Sequence, residues 1–378
     1  MRSFISEDGV TTLVNTTDTV PRYVPALDGL RAVAAIGVIA THVSFQTGTG
    51  WGIAERLDYM VAVFFALSAF VLWRRRAAHT LRDYYFARFR RVMPAYWACV
   101  VAVLILLPGA RFSWAQVVAN LTATQIYVAD GLAQGLTHLW SLCVEFAFYL
   151  VLPGLAWALR REHRVVIRVA WIAGAALVSL GWAWVSAPVE QATDINSQIW
   201  PPAYALWFAI GMVAAELEGR VRAPRATWPW WLCALACLWL GSRSWFGPRG
   251  LTHPEPAEFA RRILVGGVFA ACIVVPYALG ARSRILESPA FQRLGLWSYA
   301  MFLWHVAVLW VAFPLTGISL FSGHFWLIGA VTVALTIPVA AASYYWVEAP
   351  AARWLTRLHA QAPSAAAAKK PVSQTSPA

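Results

Sequence analysis

The stretch LDGLRAVAAIGVIATHVSF, Leu27–Phe45, decides how the chain is read. It is apolar enough to enter a membrane, yet it carries Arg31 near one end and His42 well inside the run. The whole chain repeats this character. Of 378 residues, 60% are hydrophobic and 13% charged, where a soluble domain would carry about 25% charge. Mean hydropathy is +0.57. The apolar residues fall in blocks close to the roughly 20 residues that cross a hydrocarbon core of about 30 Å. The sequence therefore predicts an all-α, polytopic membrane helix bundle with about ten transmembrane helices.

The expected spans run 25–46, 57–74, 93–108, 138–159, 166–186, 199–217, 228–244, 260–280, 294–314 and 324–347. Segment 112–128 is ambiguous between an interfacial or re-entrant piece and a further span. With the N-terminus placed inside, only Arg56, Arg111, Arg243, Arg249, Arg261 and Arg262 of the 30 basic residues fall outside. That skew predicts cytoplasmic termini and location in the bacterial cytoplasmic membrane. It also accounts for the net charge of +12 without a nucleic-acid partner. Residues 1–22 read as a polar, disordered segment with no apolar signal-peptide core. Residues 23–358 form the membrane domain, and 359–378, rich in Ala, Ser, Pro and Lys, read as a disordered cytoplasmic tail. The five cysteines lie in apolar runs without a C-x-x-C pair, so neither a disulfide framework nor a metal site is expected.

Few ionisable groups remain at depth: His42, Glu145 and His305, with Asp28 and Arg31 nearer an inner end. A charged side chain in a span costs about 2.5–3.5 kcal/mol on insertion scales, so each suggests function. The alternative is a neutral histidine hydrogen-bonded between helices. Arg31 and His42 are 11 residues apart, about three turns and 16 Å along one helix face. Glu145, counted from a span entering at His138, falls at a depth comparable to His42, where a carboxylate can orient an imidazole. His305 can equally be structural or functional. Histidines in loops or at span ends receive no role, although His138 abuts the segment Trp140–Glu145.

The run RRRAAHTLRDYYFARFRRVMP is denser in arginine than orientation requires. Arg88 and Arg91, three apart on one helix face, make a ready phosphate clamp suited to a coenzyme A ester. Walker A, G-x-G-x-x-G, G-x-S-x-G and H-E-x-x-H motifs are absent, which speaks against a nucleotide-driven pump or an ordinary serine hydrolase.

These segments together resemble the membrane acyltransferase-3 family. YVPALDGLRAVAAIGVIATH is similar to its opening helix, an Arg and then a His after ten residues, at Arg31 and His42. VFFALSAFVL resembles its second-helix motif, with Ala69 where Gly is usual. RFRRVMPAYW matches an Arg-x-x-Arg element at Arg88 and Arg91. HLWSLCVEFAFYLVLP matches at Trp140, Ser141, Leu142, Glu145, Phe148 and Tyr149. SYAMFLWH matches at Ser298, Tyr299 and His305, and YYWVEAPAARW at Glu348 and Pro350. Phe146 and Ala147 depart from the pattern, where the family usually has a second acid and a Gln. No esterase-like domain follows in this sequence, so acceptors that need one are not expected.

The resemblance implies transfer of an acyl group, acetyl above all, from acyl-CoA as co-substrate to a hydroxyl. The implied acceptor is a carbohydrate, a glycolipid or a secondary metabolite. His42 and Glu145 would be catalytic: His42 as general base or transient acyl carrier, Glu145 orienting it or binding the acceptor. Arg31, Arg88 and Arg91 would hold the donor. Asp28, Trp140, Ser141, Tyr149 and His305 would line the substrate site. Two rival readings stay open: a proton-coupled transporter using His42, Glu145 and His305 as a relay, and a non-catalytic membrane scaffold.

Overall fold

The computed structural model describes residues 23–77, 80–248 and 253–361. The expected polar segment 1–22 and residues 362–378 of the expected tail lie outside the described residues, as does Arg249. Residues 359–361 still belong to the last helix.

The protein is a multi-pass membrane helix bundle. Among the described residues, eight helices are long and apolar enough to cross a membrane: α1 Pro25–Thr47, α2 Gly52–Arg74, α3 Leu81–Leu106, α5 Thr137–Ala158, α6 Val165–Thr193, α9 Pro256–Ala278, α10 Pro289–Thr316 and α11 Phe325–Gln361. Two shorter apolar helices, α7 Pro201–Leu217 and α8 Trp228–Gly241, occupy the remaining expected positions. The 14 residues of α8 extend only about 21 Å. Exposed Trp228 and Trp245 flank them, which is where indole rings anchor at a membrane interface. The ambiguous segment resolves as a short helix, α4 Trp114–Leu121, and a 3-10 turn at Gln125–Tyr127. Eight residues of helix cannot span.

The clearest departure from the expected spans is α3, which starts at Leu81 rather than near residue 93. Thr80 caps it, its hydroxyl accepting from the Asp83 amide at 3.2 Å. Hydropathy registers only the apolar half of this helix; its first three turns are the arginine-rich, half-exposed part.

Helices meet through small residues, as expected where apolar side chains gain little by leaving lipid. A Cβ on Gly211 of α7 would overlap the Ala66 carbonyl of α2, and one on Gly295 of α10 would overlap the Asp28 carbonyl of α1. In this way α1 packs on α10, α2 and α11, and α2 on α7 and α9. A π-helical turn, Tyr344–Glu348, interrupts α11 and sets Glu348 toward α3. Such turns recur at functional sites. The start of α1 and the far part of α11 lie on the same side, since Arg31 and Ala352 line one cavity.

Candidate active site

That cavity has a volume of about 430 Å³ and lies between α1, α2, α3, α5, α10 and α11. Its walls carry four guanidinium groups, from Arg31, Arg88, Arg90 and Arg91. Arg31 is held by Asp28, three residues earlier on α1. Asp28 also accepts from the Tyr23 hydroxyl at 2.5 Å. Partial burial, and then the Asp28 carboxylate, push the Tyr23 phenol up to about 12, so it stays a donor. Arg91 pairs with Glu348 at 2.6 Å across 257 residues of sequence. Arg90 bonds Thr356. Arg88 lies over the Tyr149 ring, 6.0 Å from its centroid, and its buried Nε has no partner.

Deeper in, the wall becomes aromatic and apolar: Val61, Phe64, Phe65, Leu142 and Phe302. Glu145 is also on this wall. It accepts from the Tyr149 hydroxyl at 2.6 Å, and Ser68 donates to that hydroxyl at 3.4 Å. The arrangement is a cationic mouth leading to a largely apolar floor.

Behind Phe302 stand three histidines. The Phe302 ring centroid is 5.3 Å from that of His138 and 5.7 Å from that of His305. His42 and His305 are 4.9 Å apart by centroid, His138 and His305 4.6 Å, and His42 and His138 6.1 Å. His305 and His138 are 0% and 3% exposed, whereas His42 is half-buried. Among the described residues, no group of His, Cys, Asp or Glu is arranged to hold a metal ion.

Backbone carbonyls set the tautomers of these rings in their neutral form, because a carbonyl can only accept. His305 Nδ1 donates to the Phe302 carbonyl at 2.7 Å, and His42 Nδ1 to the Val38 carbonyl at 2.9 Å. His138 Nε2 donates to the Leu303 carbonyl at 3.2 Å. His305 Nε2 then carries a lone pair 3.2 Å from His42 Nδ1, whose single proton it shares with the Val38 carbonyl. Two lone pairs are left over, on His42 Nε2 and on His138 Nδ1.

The expected site residues divide accordingly. Arg31, Arg88, Arg91, Ser141, Glu145 and Tyr149 line the cavity. His42 and His305 meet each other instead, beyond Phe302. The expected pairing of Glu145 with His42 is not present. The reason is the depth of α5. His138, at its start, is already level with His42, so Glu145 lies seven residues further along, about 10 Å deeper. The residue beside His42 is His305. Asp28 and Trp140 also fall outside the cavity wall: Asp28 holds Arg31, and Trp140 packs on the Tyr204 ring at 5.0 Å. Sequence reasoning passed over His138, Arg90 and Phe302. Arg90 stood in the basic run and His138 beside the Trp140–Glu145 segment, but Phe302 carries no signal in sequence.

Residues 24–345 match the acyltransferase-3 family, described as an acyltransferase domain. The chain belongs to that family. It is 25% identical to the peptidoglycan O-acetyltransferase OatA of Listeria monocytogenes, over 87% of this chain and 56% of OatA. It is 30% identical to the acyltransferase MdmB of Streptomyces mycarofaciens, over 76% of this chain and 80% of MdmB. The O-acetyltransferase OatA of Staphylococcus aureus matches at 28% over 48% of this chain and 32% of that protein. The chain thus spans little more than half the length of the Listeria relative and four-fifths of MdmB. No solved structure matches. Within the acyltransferase-3 bundle, the Arg-x-x-Arg and Glu-x-Pro elements prove to be one contact, Arg91 with Glu348. Where the family usually has a second acid, Phe146 packs on Tyr96 at 5.8 Å.

Proposed function

We propose that this protein is a membrane O-acyltransferase that moves an acyl group, acetyl in the first instance, from acyl-CoA to a hydroxyl. The acceptor class is a carbohydrate, glycolipid or secondary metabolite, in keeping with relatives named for peptidoglycan O-acetylation and for acyl transfer. One observation carries the reading: a cavity lined by four arginines reaches the Phe302 ring, which packs on His138 and His305, with His42 against both. Guanidinium groups suit the phosphates of coenzyme A. The apolar floor suits a pantetheine arm and a short acyl group, with Glu145 and Tyr149 as polar contacts beside it. The cavity side would face the cytoplasm, where the donor is.

In this reading His42 Nε2 takes the proton of the acceptor hydroxyl. The oxygen attacks the thioester carbonyl, the C–S bond breaks, and the coenzyme A thiolate leaves and recovers the proton. The Val38 carbonyl, with His305 Nε2 beside it, takes the proton on His42 Nδ1 and keeps the imidazole in the tautomer that leaves Nε2 unprotonated.

The test is acetyl-CoA turnover by purified protein in lipid nanodiscs, with a short alkyl glycoside as acceptor. Loss of a general base is worth about 10²–10⁴ in rate, so His42→Gln should reduce transfer by that factor while inserting normally. Glutamine keeps some hydrogen bonding but takes up no proton near neutral pH. A well-expressed His42→Gln protein with near wild-type transfer would remove His42 from the chemistry.

A further inference from the structure

The structure leaves His138 with a nitrogen that nothing uses. The residue is 3% exposed, and its Nδ1 is buried without a partner. Its Nε2 is committed to the Leu303 carbonyl, so Nδ1 can act only as an acceptor in the neutral ring. Neighbouring groups do not relieve it. Ser141 spends its hydroxyl on the backbone carbonyl of His138 itself, at 3.2 Å. The proton on His305 Nδ1 goes to Phe302. A buried acceptor with no donor is costly in a low-dielectric interior, and one that persists calls for an explanation. This one stands 6.1 Å, ring to ring, from His42.

The segment over the start of α5 carries more groups of the same kind. The Gln125 side chain is 1% exposed, with the Tyr96 hydroxyl beside it, and the Asn120 Oδ1 is buried without a partner. The 3-10 turn that holds Gln125 packs against α5. Buried acceptors without donors, on Asn120 and His138, suit a ligand that brings hydroxyls rather than an apolar one.

We propose that His138 receives the acceptor: its Nδ1 accepts the hydrogen bond of a carbohydrate hydroxyl and holds that hydroxyl beside His42. This rests on the acyltransferase reading above. It makes His138 a substrate-binding residue distinct from the arginine-lined donor cavity. Phe302, packed on the His138 ring, separates the two substrates until they meet.

Two substitutions isolate the nitrogen. His138→Asn places a side-chain acceptor near the Nδ1 position, while His138→Gln reaches toward the Nε2 position and leaves none at Nδ1. Kinetics are measured in nanodiscs with acetyl-CoA and a short alkyl glycoside. Loss of one hydrogen bond corresponds to about tenfold in affinity. His138→Gln should therefore raise the glycoside KM about tenfold, with the KM for acetyl-CoA unchanged, and His138→Asn should restore it. Equal glycoside KM values in wild type and His138→Gln, or rescue by Gln rather than Asn, would overturn the proposal. Solid-state NMR of ¹⁵N-histidine protein in bilayers gives a readout independent of turnover. The His138 Nδ1 signal should be that of a lone-pair nitrogen and should shift when the glycoside is added. A protonated Nδ1, or no response to the glycoside, defeats the assignment. If wild-type protein does not turn over acetyl-CoA, the functional reading fails and the NMR result alone decides the role of His138.

Discussion

At the scale of single residues, the two arginines of the Arg-x-x-Arg element have different partners and should fail differently. Arg88 has only a ring beneath it and an unpartnered Nε, so it is free to take a phosphate. Arg91 already neutralises Glu348, a carboxylate only 3% exposed. We predict that Arg88→Ala raises the KM for acetyl-CoA with little change in stability, since a charge-assisted contact is worth about 1.5–3 kcal/mol. Arg91→Ala should do this and also destabilise the protein. It strands a buried carboxylate, a change that typically costs about 3–5 kcal/mol when one partner of a buried pair is removed. Thermal unfolding of the purified variants separates the two; equal melting temperatures would contradict the difference. Arg31, Arg88, Arg91 and Glu145 were all legible, because motif spacing places them on the inward faces of their helices. The partner of His42 was not. Hydropathy locates where a helix becomes apolar, but not how far below the membrane surface that point lies, and so Glu145 was set too shallow. His138 was passed over for the same cause, as a histidine at a span end rather than one sunk among helices.

At the scale of elements, the ten expected segments are all present as helices, and the differences are in length. Arginines hid the first turns of α3 from hydropathy, and α7 and α8 are shorter than the eight spanning helices. Their contacts explain how a short helix is retained. Gly211 lets α7 lie directly on the backbone of α2 at Ala66 and Phe70. We predict that Gly211→Val prevents this approach. Overpacking of this kind costs about 1–3 kcal/mol or more when the obstacle is backbone. The variant should express poorly or melt early in detergent, with no specific effect on donor KM in whatever folds. Normal stability of Gly211→Val would mean that α7 tilts freely against α2. Close helix contact of this kind is read only in three dimensions; in sequence Gly211 is one small residue among many.

At the scale of the whole molecule, Arg31 and Ala352 on one cavity put the start of α1 and the far part of α11 on the same side. Buried Glu216 ties that side together, accepting from Trp73 at 2.8 Å, Arg76 at 2.9 Å and Arg168 at 2.6 Å. We predict that this is the cytoplasmic side. A reporter active only outside the membrane, fused after Ala378, should be silent, and one fused in the α8–α9 connection should be active. The opposite pattern would invert the bundle and put the arginine cavity out of reach of a cytosolic donor. Overall class and orientation are what composition reveals most readily, because lipid constrains every residue of a span alike.

The position of Phe302 bears on something other than acyl chemistry. In the reading proposed above, the donor occupies the arginine cavity and the acceptor meets the histidines, and Phe302, which lines that cavity and packs on His138 and His305, stands between them. Clustered imidazoles can pass a proton between them, and a membrane potential acts on any charge that crosses, at about 2.3 kcal/mol per 100 mV. On that reading the ring would be electrical insulation as well as a partition. A wider opening there would admit bulkier acyl groups, but it would also short the membrane. Proton tightness would then set an upper bound on donor size that the pocket's own volume does not.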